Sequence, residues 1–358
     1  MKRILLIAIF ALVVAMNGKA QRLQVIDAKG TPVPYASVLN TNAEYIGITD
    51  LEGVVPDVKG AKDIIITHVA FKTKNVKPLG KDMVVILEEA DFELPEITIT
   101  KKEYTYLQVY YRIVAISKSG VLFYRAGLVD NFYNEEKRKQ ESSKQHITKA
   151  KSGTVKTVGN LIMNFIVDAK ATIRTKTEEE RMLQKYKDLG LKIVSEGSSR
   201  KRIIDNYGTL GSIIDQNGQR RITIDETLAY LHYLEAENKT RELKKVEKRT
   251  AKVENAVSNS YCVFSIDDNG NYRPEDFLLE QHLYSGDYEK HGHCIFIMDF
   301  FATNRGYYSK EGMKQVKKNN KVKMTYDWTR QFEYDHAIPA FVPAVQQKVD
   351  ELWRKAGD

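Results

Sequence analysis

From Tyr104 to Ile113 the chain alternates without a break. Thr105, Leu107, Val109, Tyr111 and Ile113 fall on one parity, and Tyr104, Tyr106, Gln108, Tyr110 and Arg112 on the other. A period of two belongs to an extended strand, whose successive side chains point to opposite faces. Such a strand needs partners for its backbone amides and carbonyls, so it commits this part of the chain to a sheet. Val121 to Tyr133 reads as the returning strand, after a turn at Ser117 to Gly120. Two further reversals contain Asn-Gly: Asp215-Gln216-Asn217-Gly218 before Arg221 to Ile224, and Asp267-Asp268-Asn269-Gly270 after Cys262 to Ile266. Asn-Gly is a strong hairpin signal because both central residues of a type I′ turn need positive φ.

Helices are interspersed. Thr177-Glu178-Glu179-Glu180 has the form of a capping box, with Gly190 ending the segment. Asp225 is placed to cap a helix carrying Leu228, Leu231 and Leu234, extended by a charged stretch toward Ala256. Pro343 suits a first helical position, and Val345, Val349, Leu352 and Trp353 follow on one face. Residues 103–358 are therefore expected to form an α+β domain with an antiparallel sheet, joined by a connector at 91–102 to whatever precedes it. No internal repeat is visible.

The first residues carry an address. Lys2 and Arg3 precede an apolar run from Ile4 to Met16, and Gly18 and Ala20 stand at −3 and −1 of a cleavage point before Gln21. This is the pattern of a secretory signal peptide over 1–20, and its apolar run is shorter than the roughly 20 residues a spanning helix needs. No cysteine follows the cleavage point to carry a lipid. Cleavage removes Lys2, Arg3 and Lys19, taking the formal charge from +8 to +5. A mild excess on an exported chain argues against a nucleic-acid partner. The densest basic stretch, Lys137 to Lys156, is expected to be a solvated loop, with an anionic envelope surface as the alternative.

Residues 21–90 read as short strands at even spacing, the pattern of a mainly β sandwich. The expected strands are Leu23 to Asp27, Ala36 to Leu39, Tyr45 to Thr49, Asp63 to Val69, Lys72 to Val76 and Met83 to Leu87. The consecutive Ile64, Ile65 and Ile66 predict a strand buried on both faces.

Several motifs occur here in order: Val25-Ile26-Asp27, Gly30, Pro32-Val33-Pro34-Tyr35-Ala36-Ser37-Val38, Gly47-Ile48-Thr49-Asp50-Leu51-Glu52-Gly53, then Ile64 to Phe71. This quarter of the chain resembles the carboxypeptidase regulatory-like domain, an Ig/transthyretin-like β-sandwich. It departs from the family in having Ala70, where a glycine is usual, before Phe71. Leu87-Glu88-Glu89 and Leu94 to Thr100 look like the exit segment of this module in exported proteins of Bacteroidetes-type bacteria. The resemblance implies a non-catalytic module and a place in the cell envelope. The module also precedes outer-membrane nutrient receptors, but the residues after Lys101 are too few for a plug and a large barrel.

Candidate chemistry is sparse. His291 and His293 would share a face on a strand and could hold a metal with His282 or His336, yet no third ligand has fixed spacing. Asp267, Asn269 and Asn271 imitate the opening of a calcium loop, but Tyr272 stands where glycine is needed and Leu278 where glutamate is. No nucleophile elbow, phosphate loop or dinucleotide motif occurs. Cys262 and Cys294 are the only cysteines, and a disulfide and two buried thiols are both open. No catalytic, metal or cofactor residue is therefore expected. The candidate binding residues are Tyr104, Tyr106, Tyr110 and Arg112, a face able to stack on sugars or an apolar partner, although a face covered by another part of the domain is the preferred reading of the same residues. The expected function is a non-enzymatic secreted or envelope protein that binds a partner protein or glycan, with possible peripheral contact at the outer membrane. The alternatives are an envelope hydrolase acting on peptides or glycans, and a periplasmic carrier of an apolar ligand.

Overall fold

The computed structural model describes residues 22–55, 58, 61, 63–77, 82–90, 98–99, 103–117, 120–156, 167, 170–236, 258–288 and 292–354. The expected leader at 1–20 and the charged stretch after Ala236 lie outside these residues. The chain divides into two compact units, Met1–Glu89 and Ala90–Asp358. It is a mainly β sandwich followed by an α+β domain built on a large antiparallel sheet.

The first unit contains β1 (Arg22–Asp27), β2 (Ser37–Asn40), β3 (Tyr45–Ile48), β4 (Val54–Val55), β5 (Ile64–His68), β6 (Phe71–Val76) and β7 (Asp82–Leu87). They form two sheets, β4-β1-β7 and β3-β2-β5-β6, with β1 and β7 parallel. Leu23, Val25, Val38, Ile64, Ile66, Val85 and Leu87 share one core. Ile65 is buried as well, as expected from the isoleucine run. Aspartates make the turns: Asp27 Oδ1 accepts from the amides of Lys29 (2.8 Å) and Thr31 (2.9 Å), and Asp50 Oδ1 from those of Glu52 (3.0 Å) and Val54 (2.8 Å). At Gly53 φ is +71°, and a Cβ would stand 2.3 Å from the Val25 carbonyl oxygen, so a side chain is excluded there.

The second unit contains β8 (Thr98–Ile99), β9 (Tyr104–Ser117), β10 (Gly120–Asn134), β11 (Lys139–Ala150), β12 (Lys192–Ser195), β13 (Arg200–Ile204), β14 (Thr209–Gln216), β15 (Gln219–Asp225), β16 (Ser258–Ser265), β17 (Phe277–Tyr288) and β18 (Gly292–Tyr308). Its helices are α1 (Glu178–Lys185), α2 (Glu226–Ala236), α3 (Lys310–Asn319), α4 (Tyr326–Asp335) and α5 (Pro343–Arg354). The strand order is β11-β10-β9-β18-β17-β16-β15-β14-β13-β12, with β8 parallel to β18. The alternating strand β9 lies inside this sheet: Tyr111 faces Gly127 on β10 and Phe300 on β18.

Each face of β9 meets different cover. Leu107, Val109, Tyr111, Ile113 and Ala115 join a core that includes Val167, Ala171, Ile173, Met182 and Leu189. On the other face the C-terminal helices approach: Met313 packs with Tyr104, Tyr106 and Phe132, and Phe332 with Tyr110 (ring centroids 5.3 Å apart). The local signals for helices have the expected partners. Thr177 and Glu180 make both bonds of the capping box, and Asp225 Oδ1 accepts from the amide of Leu228 at 2.8 Å. Gly190, in the left-handed region, closes a 3-10 turn at Lys187–Leu189 that follows α1.

Two sequence expectations need correction. The basic stretch from Lys137 contains strand β11, paired with β10 over Lys139–Ala150, half of its residues exposed and the rest half-buried. Its polar composition suits a sheet edge, where lysines discourage a further strand from adding. The second reversal is also not a type I′ turn. Asn217 and Gly218 both have positive φ, as that turn requires, but around Asn269 only Gly270 does. There Asp267 Oδ1 accepts from the amides of Asn269 (2.9 Å) and Asn271 (2.8 Å), which fixes a different turn.

Candidate functional site

The four candidate binding residues are turned inward. Tyr104, Tyr106, Tyr110 and Arg112 are 8%, 0%, 0% and 3% exposed, so of the two readings the sequence offered, the covered face is the one found. What covers them is the chain itself. Tyr106 donates its hydroxyl to Asp130 Oδ1 (2.7 Å) and accepts from Asn320 Nδ2 (2.7 Å). Tyr110 donates to Glu333 Oε1 (2.8 Å) on α4. Arg112 pairs with Asp299 (2.9 Å) and Glu333 (3.4 Å), while the Phe341 ring lies 4.0 Å from its guanidinium carbon. Burial works against the Arg112 charge, but Asp299 and Glu333 raise its pKa above the ordinary value. Phenols and a guanidinium offer area and donors together, so the face suits docking, and the docked partner is the C-terminal helix pair.

The opposite face holds a second charged cluster, centred on Glu280 of β17, whose residue is fully buried. Strand register places Ser260 opposite His282 and Cys262 opposite Glu280. The Glu280 carboxylate receives Lys170 Nζ at 3.1 Å and the Arg174 guanidinium, and His282 Nε2 stands 2.5 Å from its Oε1. Arg174 also reaches Glu178 Oε2 at 2.7 Å. Burial alone would push Glu280 upward, but Arg174, Lys170 and His282 hold its carboxyl well below the usual carboxylate range. Burial, then Glu280 and Glu178, push the Cys262 thiol well up.

A serine, a thiol, an imidazole and a carboxylate on one face include the residue types of acid–base and nucleophilic catalysis. Their state is unsuited to it. Glu280 is ionised with both oxygens occupied, and Cys262 is held in the unreactive thiol form. Lys170 and Arg174 belong to the segment packed over the sheet, so the cluster acts as a clamp fastening that segment to β17.

The remaining sequence candidates separate. Cys262 pairs with Glu280 and Cys294 with Gly286, on opposite sides of β17 and six positions apart along it. At about 3.3 Å per residue that offset alone approaches 20 Å, so the two thiols cannot bond to each other. His291 and the His293 side chain lie outside the described residues, so the metal pair falls there too. Among the described residues no group of three His, Cys, Asp or Glu side chains is arranged to hold a metal. Asp267, Asn269 and Asn271 form the turn described above.

Glu280 and His282 carried no parity signal, because Gln281 between them is polar as well. Glu333 carried none, because 223 positions separate it from the tyrosine it binds. No family model matches the chain, and no curated protein matches it. No helix among the described residues is long and apolar enough to cross a membrane.

Proposed function

We propose that the protein is an exported, non-enzymatic protein of the cell envelope, in the periplasm or against the outer membrane, that binds a partner protein or glycan through its larger unit. In this reading residues 21–90 are a carboxypeptidase regulatory-like module at its front. The observation that carries binding over hydrolysis is the saturation of Glu280. The catalytic residue types that converge do so with the Glu280 charge neutralised by the chain's own Lys170 and Arg174, so that this cluster offers a substrate no free carboxylate or thiolate. The Lys2 to Ala20 segment supports export, and the ordered motifs from Val25 to Phe71 support the module.

The test is made on the full chain expressed in a Gram-negative host. The mature protein is expected in the envelope fraction with Gln21 as its first residue. Immobilised, it is expected to retain an envelope glycan or peptide without cleaving it. Uncut protein in the cytoplasm would overturn the export reading. Cleavage products that disappear in a folded Glu280→Gln variant would overturn the non-enzymatic one and favour the hydrolase.

A further inference from the structure

Arg125 of β10 is 3% exposed, yet its Nε and Nη1 have no hydrogen-bond partner, and no carboxylate among the described residues pairs with it. Every other buried cation treated above is neutralised: Arg112 by Asp299 and Glu333, Arg174 by Glu178 and Glu280. A buried guanidinium without a counter-charge is costly, and such a group calls for an ion or ligand that completes it.

Its surroundings point the same way. Strand register puts Arg125 opposite Ile113 and Thr148, and Gly127 opposite Tyr111 and His146, all on one face. The Tyr111 hydroxyl and Thr148 Oγ1 are also buried, and apart from the neighbouring Arg125 guanidinium, which lies close enough to the phenol to offset part of the rise that burial gives its pKa, neither has a hydrogen-bond partner. The glycine explains how Tyr111 comes to lie there. A Cβ at Gly127 would stand 2.7 Å from two atoms of the Tyr111 ring and 2.4 Å from the Gln145 carbonyl oxygen, so only glycine lets the ring lie flat across β10. The guanidinium carbon is 5.9 Å from the centre of that ring. Toward solvent stand the exposed Lys144 and His146: burial and then Arg125 lower the pKa of both, which leaves the imidazole neutral near pH 7 and the lysine as the added positive charge.

We propose that Arg125, Tyr111 and Thr148 form a binding site for a small oxyanion, a phosphate or carboxylate group, entered past Lys144 and His146. Arg125 supplies the charge and the two hydroxyls supply donors, a set that matches a tetrahedral or planar oxyanion and no neutral ligand. The site stands on side-chain placement alone and holds whether or not the chain is exported.

The experiment is calorimetric titration of the full chain with inorganic phosphate and, separately, with acetate, at constant ionic strength set by chloride. Saturable binding of one equivalent is expected, weakened at least tenfold by Arg125→Gln and several-fold by Tyr111→Phe or Thr148→Val. The last two keep side-chain shape and serve if Arg125→Gln fails to fold. Phosphate bound in preference to acetate identifies a phosphate-bearing ligand, and the reverse a carboxylate. At one hundred times the dissociation constant the melting midpoint is expected to rise by about 5 °C. Saturable binding of neither anion would overturn the proposal. So would binding that Arg125→Gln, Tyr111→Phe and Thr148→Val all leave unchanged, or an Arg125→Met variant at least as stable as the parent at every anion concentration.

Discussion

Glu280 shows how one side chain can decide both packing and chemistry. Its carboxylate is fully buried and relies on Lys170, Arg174 and His282, so removing its charge takes the carboxylate partner from the half-buried Lys170 and leaves the buried Arg174 with Glu178 alone. Glu280→Gln is expected to cost about 3–5 kcal/mol at neutral pH. The sign of its pH dependence follows from the direction of the shift. The folded carboxyl titrates below the unfolded one, so its contribution is complete above the unfolded value, about 4.3, and is lost as pH falls through the lower folded value. Urea unfolding of the two proteins across an acid series checks this: the stability gap is expected to be full at pH 7 and to close in acid. A gap that persists undiminished would mean the carboxylate is not held by charge.

At the scale of elements, the local signals were legible and the long-range ones were not. The capping box at Thr177, the Asn217-Gly218 hairpin and the alternation of β9 each depend on residues a few positions apart, and each has the expected geometry. The hairpin offers a direct check, because Gly218 sits at φ +70° with open space around it. Gly218→Ala meets no steric obstacle, so its expected loss of about 1 kcal/mol, read by thermal melting, reports the left-handed backbone alone. Strand β11 was missed because an edge strand need not be apolar, and its lysines read as a loop. What covers the tyrosine face was not legible in the sequence, because the groups that satisfy its hydroxyls and its guanidinium, Asn320 and Glu333, come from elements far along the chain. Ending the chain at Ser309 removes α3, α4 and α5 and uncovers Tyr106, Tyr110 and Tyr124 while taking Glu333 from Arg112. That truncated protein is expected to bind a hydrophobic dye and to self-associate, as seen by fluorescence and light scattering. A monomer that binds no dye would show that the helices are dispensable cover.

At the scale of the whole molecule, the two units differ in how much each can sustain alone. Among the described residues the core of the first draws on residues between Leu23 and Leu87, and the parallel pairing of β1 with β7 ties its first strand to its last. The core of the second begins at Leu107, and β8, at Thr98–Ile99, already pairs with β18. A cut between Glu89 and Ala90 therefore severs no strand pairing among the described residues of either unit. Size then sets the difference, because a unit as small as Arg22–Glu89 buries only about 60% of the surface its unfolded chain exposes, against about 75% for one near the size of Ala90–Asp358. Expressed separately, both pieces are expected to unfold cooperatively, the first with a stability of only a few kcal/mol and a small denaturant slope, the second with a steeper one. Chemical denaturation followed by circular dichroism, with amide dispersion by NMR for the smaller piece, makes the check. A disordered Arg22–Glu89 fragment would show that its closed core is insufficient by itself, and that the sandwich depends on the rest of the chain to fold.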